Sequence, residues 1–326
     1  MSVPAEIIEA LEAAARPVVI GHVNPDIDAL GAMLALARAL PSPHAVIALP
    51  VKPTNQRLRF MFELAGGGRI ADARELAEAD VAVVVDTASP SRVNVPGKWE
   101  AIAHRCIVNI DHHITNGDFG RFNWVEDGAS STCEMICRLI RAAGWEMDAV
   151  TASLLFAGIY GDTAGFSLPT ATAEVFETAS ALVRAGADVE RIGARLCRSQ
   201  ERHEFDLVRT VYHNTRIAAE GRIAYSTLSH DEITAAGCSA EDIDEQVSIP
   251  HSLSGVKVAM LFSEGERGVI RINLRGEDGT PVLPIAARLG GGGHRYSAGV
   301  RVRGEMNAVV ERVLAEAATC LESLSA

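Results

Sequence analysis

The sequence has few cysteines and no long apolar run. Six cysteines are scattered without a C-x-x-C pair, which disfavours a zinc ribbon or a disulfide framework. No segment approaches the about 20 consecutive apolar residues that span a bilayer. The first residues include Glu6, Glu9 and Glu12, whereas a signal peptide begins with basic residues. We therefore expect a cytoplasmic protein without a membrane partner.

Positive charge is also scarce. The chain has 30 Lys and Arg against 42 Asp and Glu, which gives a formal net charge of −12. Such a surface repels long polyanions unless positive charge is concentrated locally, so a partner such as long duplex nucleic acid is disfavoured. A phosphate substrate is not excluded, because carboxylates that bind cations make the formal charge more negative than that of the loaded protein.

Short runs of β-branched residues alternate with helical segments in the first half of the chain. These runs are apolar on both faces, as expected for a parallel sheet that helices cover on both sides. A chain of 326 residues also favours two domains over one. The predicted strands are residues 17–21, 44–49, 81–85 and 106–110, and a helix is predicted over residues 29–40.

The pattern changes in the second half, where alternating segments are joined by Gly-containing turns that favour hairpins. We predict an α/β fold with an N-terminal parallel-sheet domain over residues 1–187 and a helical linker over 188–210. A smaller C-terminal α/β domain with a mixed sheet would cover 211–326, with a cleft between the two domains. The predicted hairpins pair 216–219 with 222–228 and 256–262 with 268–275, and a closing helix spans 306–324.

Polar side chains follow the first predicted strand, in the segment Gly21 to Asp28. His22, Asp26 and Asp28 offer one imidazole and two carboxylates just before a predicted helix. In open α/β sheets, ligands bind at the carboxyl ends of the strands. Asp26 and Asp28 could instead cap the helix. Taken alone, this segment fits capping as well as ligand binding.

Three further predicted strands also end in acids or histidines. Residues 81–85 lead into Asp86, 107–110 lead into Asp111, and a predicted strand over 158–161 leads into Asp162. Carboxylates brought together repel one another unless cations occupy the cluster. The mixture of His nitrogen and Asp oxygen suits Mn²⁺ better than Ca²⁺, and the lack of thiolate argues against structural zinc. Mg²⁺ and Co²⁺ are alternatives.

The order of these motifs resembles that of the DHH phosphoesterases, which are named for the run seen here as Asp111-His112-His113. The resemblance covers nearly the whole chain, and its second half is similar to the DHHA1 type of substrate domain. The matching segments are GHVNPDIDALGAML, VVVDTAS, NIDHH and GIYGDTAGF in the first half, and RINLRGEDG and ARLGGGGHRYSAG in the second.

The resemblance implies a pair of Mn²⁺ ions and hydrolysis by a water activated between them. It places Asp111 behind the two histidines, which it would orient. It makes His113 a catalytic residue that faces the scissile phosphate, although a packed core histidine is the alternative. It assigns His22 and Asp26 to the first ion, Asp28, His112 and Asp162 to the second, and Asp86 to both as a bridging and catalytic residue.

The strand predicted over 268–275 places Arg271, Asn273 and Arg275 on one face by alternation. A solvated outer face is the simpler explanation for a single alternating strand. The glycine run that follows could be a turn, or it could bring backbone N–H groups close to a phosphate. With the DHHA1 resemblance, the implied substrate clamp consists of Arg271, Arg275, Gly291, Gly292, Gly293 and His294.

Two departures from the family pattern stand out. This chain has Arg275-Gly276 where many relatives that act on short RNA carry Arg-Ser, so one hydroxyl contact is missing. Asn24 is similar to the corresponding residue of the family II inorganic pyrophosphatases, which share the catalytic domain. Their C-terminal domain uses a Lys-rich motif that this sequence lacks.

The resemblance implies a phosphoesterase that cuts oligoribonucleotides of about two to five nucleotides to mononucleotides, dephosphorylates 3′-phosphoadenosine-5′-phosphate (pAp), or does both. One alternative is a phosphodiesterase for cyclic dinucleotides or the linear dinucleotide pApA, and another is an inorganic pyrophosphatase. A non-catalytic nucleotide sensor is a third, but such a protein would be expected to lack metal ligands, and all six candidates are present. A homodimer is compatible with the sequence.

Overall fold

The chain divides into two compact units, residues 1–199 and 200–326. Within the described residues, no helix is both long and apolar enough to cross a bilayer. The computed structural model describes residues 2–50, 56–97, 99–197, 202–238, 243–277, 279–293 and 295–325.

The first unit contains a parallel sheet, as predicted. Its spatial order is β2-β1-β3-β4-β5, and all neighbouring strands run parallel. The short edge strand β5 was not predicted. The strands are β1 (Pro17–Ile20), β2 (Val46–Ala48), β3 (Val81–Val85), β4 (Cys106–Asp111) and β5 (Phe122–Val125).

Apolar side chains cover both faces of this sheet. Val19 and Val83 point into a large core, whereas Val18 and Val84 point into a smaller core on the opposite face. This two-sided burial explains why the strands appear as continuous apolar runs. The helices of the unit are α1 (Ala5–Glu12), α2 (Ile27–Ala39), α3 (Gln56–Leu64), α4 (Ala73–Glu78), α5 (Thr132–Ala143), α6 (Ala149–Asp162), α7 (Ala173–Arg184) and α8 (Val189–Cys197).

The strand predicted over residues 158–161 is wrong, because these residues form the last turn of α6. Every residue of α6 from Thr151 to Ile159 is buried. A helix that is apolar all round has no distinguishing period, so a short stretch of it cannot be told from a buried strand. Asp162 therefore ends a helix rather than a strand.

Helices α2, α5 and α6 pack very closely beside the sheet. A Cβ atom added to Gly158 of α6 would lie 2.2 Å from Cys133 Sγ of α5 and 2.9 Å from Asp28 Oδ1 of α2. Only glycine fits at a contact this short. Gly158 therefore allows the three helices to meet next to Asp28.

The second unit contains one six-stranded mixed sheet in the order β10-β11-β9-β8-β7-β6. Strand β7 runs parallel to β8, and the other neighbouring pairs are antiparallel. Both predicted hairpins and the closing helix are confirmed. The elements are α9 (Arg202–Asn214), β6 (Arg216–Ala218), β7 (Ile223–Leu228), α10 (His230–Ala236), α11 (Ser248–His251), β8 (Val258–Glu266), β9 (Val269–Gly276), α12 (Leu283–Arg288), β10 (Gly292–Gly293), β11 (Ser297–Arg303) and α13 (Met306–Ser325).

Strand β9 divides its side chains between two faces. Ile270, Ile272 and Leu274 are fully buried in the core that α13 covers, whereas Arg271 and Arg275 are partly exposed. The segment predicted as one linking helix contains the two helices α8 and α9, each of which packs into the core of its own unit.

Candidate metal centre

The strand order determines where a ligand can bind in the first unit. The chain reverses direction across the sheet between β1 and β3, and in such sheets ligands bind outside the carboxyl ends of the strands at this point. Asp86 directly follows β3, and His22 follows β1 by two residues. Their side chains meet, with His22 Nε2 3.5 Å from Asp86 Oδ2.

His22, Asp26 and Asp86 form a first group of donor atoms. His22 Nε2 lies 3.9 Å from Asp26 Oδ2 in addition to its contact with Asp86, and one donor atom from each residue lies within 4.8 Å of the others. Two donors bound to the same cation at about 2.1 Å are roughly 3–4 Å apart. The spacing of this group therefore suits one divalent cation.

Asp28, His112 and Asp162 form a second group with the same spacing. His112 Nε2 lies 3.5 Å from Asp162 Oδ2 and 3.5 Å from Asp86 Oδ1. Asp86 thus presents Oδ2 to the first group and Oδ1 to the second. A single carboxylate between two donor groups is the arrangement that a pair of cations needs.

Asp26 caps a helix with one carboxylate oxygen and leaves the other oxygen facing the first donor group. Asp26 Oδ1 accepts a hydrogen bond from the N–H of Ala29 at 3.0 Å and caps α2, while Oδ2 faces His22. Asp28 does not cap α2. Its buried carboxylate accepts the N–H groups of Thr132 and Cys133, at 2.7 and 2.9 Å.

The electrostatics of the cluster also favour cations. Burial, together with the charges of Asp86 and Asp162, raises the pKa of Asp28 well above its usual range. Burial likewise raises the pKa of Asp162 to about 6. Among the described residues, no Lys or Arg forms an ion pair with either carboxylate. Because buried acids without a counter-charge are costly, divalent cations fit this donor set.

Asp111 and His113 form a tight pair beside the two groups. Asp111 is fully buried and accepts hydrogen bonds from His113 Nδ1 at 2.7 Å, the His112 N–H at 3.0 Å and Asn116 Nδ2 at 2.6 Å. The hydrogen bond to Asp111 raises the pKa of His113 to about 9. Asp111 therefore orients the His113 ring, whereas Nδ1 of His112 lies 3.3 Å from the Ala129 carbonyl.

The backbone of Asp86 lies in the left-handed region, with φ of +52°. A non-glycine residue there costs about 1–3 kcal/mol unless its surroundings hold it. The Asp86 side chain is held by His22 and His112. It is also held by Thr132, whose Oγ1 donates to Asp86 Oδ1 at 3.0 Å. The strained residue is thus the one shared by both donor groups.

The sequence motifs did not indicate the roles of Thr132, Cys133 and Asn116. The run Ser130-Ser131-Thr132 signals only a helix start, and Thr132 is 104 residues from Asp28, whose carboxylate it contacts. Asn116 lies five residues beyond Asp111 in a loop, where an Asn more often marks a turn.

The arginines predicted for the substrate clamp have different partners. Arg271 forms an ion pair with Asp244, which also accepts a hydrogen bond from Asn273 Nδ2 at 2.7 Å. Arg275 Nη1 donates to the Leu274 carbonyl at 3.1 Å. The charge of Asp244 also acts on Arg275, but Asp244 forms its ion pair with Arg271. The guanidinium charge of Arg275 is therefore less compensated than that of Arg271.

Two glycines of the predicted clamp allow a close approach between backbone segments. A Cβ atom on Gly291 would lie 2.3 Å from the Gly299 carbonyl oxygen, and one on Gly293 would lie 2.6 Å from Ala298 Cα. These glycines allow β10 to pair with β11, whereas Gly292 has open space around it. His294 lies outside the described residues.

Comparisons with known proteins place the chain in a family. The model for the DHH family, N-terminal domain, matches residues 16–159, and the model for the DHHA1 domain matches residues 220–323. A bifunctional oligoribonuclease and PAP phosphatase from Thermus thermophilus is 31% identical over 318 residues, which cover 96% of this chain and 92% of the relative. The chain belongs to the DHH family.

Further relatives extend this DHH match over both units. The bifunctional oligoribonuclease and PAP phosphatase of Bacillus subtilis is 26% identical over 91% of this chain and 92% of its own length. The structure of an exopolyphosphatase-related protein from Bacteroides fragilis has a TM-score of 0.87 and 25% identity, and it covers 98% of this chain and 96% of its own. This chain is thus a metal-dependent phosphoesterase of the DHH family, with His and Asp groups that can hold its metal ions.

Proposed function

We propose that this chain is a Mn²⁺-dependent phosphoesterase that hydrolyses oligoribonucleotides of about two to five nucleotides to mononucleotides and dephosphorylates pAp. One observation carries the proposal: a single buried carboxylate, Asp86, presents different oxygens to two separate donor groups. A relative that is 31% identical over 96% of this chain is a bifunctional oligoribonuclease and PAP phosphatase, which supports the choice of substrates.

The donor chemistry supports the choice of metal. A mixture of imidazole nitrogen and carboxylate oxygen suits Mn²⁺, with Mg²⁺ and Co²⁺ as alternatives. His22 and Asp26 would hold one ion, Asp28, His112 and Asp162 the other, and Asp86 both. When bound, such a pair supplies Lewis-acid charge to the phosphate and a nucleophilic water at neutral pH.

His113 and Asp111 supply a proton donor of the chain itself. Because Nδ1 of His113 is bound to Asp111, the other ring nitrogen is the one that can donate to a phosphoryl oxygen. The same hydrogen bond raises the pKa of His113 and so favours the protonated ring, which can donate. A fixed donor of this kind stabilises negative charge as it develops on the phosphate.

The function is tested with a panel of substrates under one salt condition with Mn²⁺. The panel contains pAp, 5′-labelled RNAs from two to about 24 nucleotides, pApA, a cyclic dinucleotide and pyrophosphate. We expect the highest kcat/KM on pAp and the shortest RNAs, and a rate at least about tenfold lower on the longest, because its further phosphates meet a surface of net charge −12. Preference for pyrophosphate, cyclic dinucleotides or long RNA would contradict the proposal.

Arg275 should anchor a substrate phosphate more strongly than Arg271. Loss of a charged hydrogen bond is worth about 1.5–3 kcal/mol, so Arg275→Ala should raise KM for a dinucleotide by roughly 10–100-fold at nearly constant kcat. Arg271→Ala serves as the matched control and should have a smaller effect, because Asp244 already neutralises this arginine. Michaelis curves for both variants check this, and equal changes in KM would refute the assignment.

A further inference from the structure

The first turn of helix α5 contacts two carboxylates of the candidate metal centre. The N–H groups of Thr132 and Cys133 donate to Oδ2 and Oδ1 of Asp28, at 2.7 and 2.9 Å. The hydroxyl of Thr132 donates to Oδ1 of Asp86 at 3.0 Å. Asp28 and Asp86 are each 2% exposed, and Thr132 and Cys133 are fully buried. These three hydrogen bonds are therefore shielded from water.

The contact with Thr132 restricts the Asp86 side chain. Oδ1 of Asp86, which accepts the Thr132 hydroxyl, is also the oxygen that lies 3.5 Å from His112 Nε2. Oδ2 lies 3.5 Å from His22 Nε2 on the other side. A carboxylate can otherwise rotate about its Cβ–Cγ bond, and such a rotation would turn both oxygens away from the two donor groups.

We propose that Thr132 is a positioning residue of the metal centre, whose hydroxyl holds the Asp86 carboxylate so that one oxygen faces each donor group. This inference rests on the proposed two-metal function. By fixing the Asp86 carboxylate, Thr132 would strengthen binding of the second ion, because a metal ligand that is free to rotate binds its ion less tightly. Groups that hold ligands in this way commonly change metal affinity by about 10–100-fold.

A purely structural role for the hydroxyl is the simpler explanation, because every buried hydroxyl needs a partner. Thr151 offers a direct comparison. It is a buried threonine near the start of α6, and its side chain bonds to the carboxylate of Asp148, the residue that caps this helix. Asp148 belongs to neither donor group. If Thr132 acts only in this local way, removing either hydroxyl should have the same effect on metal binding.

The experiment compares Thr132→Val with Thr151→Val in the full chain, with Thr132→Ser as the variant that keeps the hydroxyl. Mn²⁺ stoichiometry and affinity are measured by calorimetry, and spin coupling between the ions is measured by electron paramagnetic resonance. We expect the wild type to bind two coupled Mn²⁺ ions. Thr132→Val should bind one of them about 10–100-fold more weakly and lose the coupled spectrum, whereas the other two variants should match the wild type.

Valine places a methyl group where the hydroxyl of Thr132 was, and this methyl group could itself disturb Asp86. Thr132→Ala removes the hydroxyl without adding such a group. It should show the same weakened ion as Thr132→Val, and circular dichroism melts of both variants check that the fold survives. Wild-type binding by Thr132→Ala would overturn the inference, as would equal losses in Thr132→Val and Thr151→Val. A wild type that binds fewer than two ions would instead reject the proposed two-metal function, so the two failures are distinguishable.

Discussion

Replacing Asp86 with Asn should lower kcat by at least about 1000-fold while the fold persists. Asp86 faces His22 with one oxygen and His112 with the other, at 3.5 Å in each case. An asparagine has the same shape but provides one oxygen and no negative charge. Two like-charged cations would then lose the anion that holds them close together. The measurement is kcat on a dinucleotide at saturating Mn²⁺.

The matched control for this variant is Asp127→Asn, the same substitution at an exposed position outside both donor groups. It should retain full activity and full Mn²⁺ stoichiometry. Circular dichroism should give native spectra for both variants. Wild-type turnover by Asp86→Asn at saturating Mn²⁺ would show that Asp86 does not bridge two ions.

Replacing His113 with Ala should lower kcat by about 100- to 1000-fold, the usual loss for one preorganised donor to a developing oxyanion. Mn²⁺ binding should change little, because the proposal places His113 at the phosphate rather than on a metal. Turnover and Mn²⁺ stoichiometry are measured on the same preparation. Asp86, His112 and His113 also form a potential ligand group. A loss of bound Mn²⁺ in His113→Ala would therefore identify His113 as a ligand instead.

The pH profile of an Asp111→Asn variant separates the donor from its partner. The hydrogen bond to Asp111 raises the pKa of His113 to about 9, so the protonated donor is present below that pKa and is lost as pH rises through it. Bound cations would lower the pKa in wild type and variant alike. Asp111→Asn should therefore move the alkaline limb of kcat to lower pH, and an unchanged limb would count against His113 as the donor.

The parallel sheet could be predicted because its strands are apolar on both faces. Residues 81–85 form a strand with the predicted bounds, since four of the five residues are valines, which favour strands. Strand β5 was not predicted because it is a short edge strand of mixed composition, in which only Trp124 is buried. The end of α6 was mistaken for a strand because its surroundings, rather than its own pattern, determine that it is a helix.

The acids and histidines of the metal centre could be located because each lies in a short recognisable motif. The residues that position these side chains could not be predicted, since their roles depend on contacts between distant segments. Thr132 approaches Asp86 only because α5 packs beside α2. The structural role of the glycine run also depends on a contact with another segment. Gly291 and Gly293 allow β10 to pair closely with β11, and the predicted role of the run in substrate binding stays a prediction.

The close contact at Gly158 limits how this sequence can diverge. A single methyl group there would press on both Cys133 and Asp28, so the position cannot drift to alanine while its neighbours stay unchanged. Any descendant with a larger residue at 158 needs a smaller one at 133, acquired together or in a tolerated order. Because the added methyl group would also lie 2.9 Å from Asp28 Oδ1, even such a paired change would affect the metal centre. Evolution of this helix interface and evolution of catalysis are therefore coupled at one position.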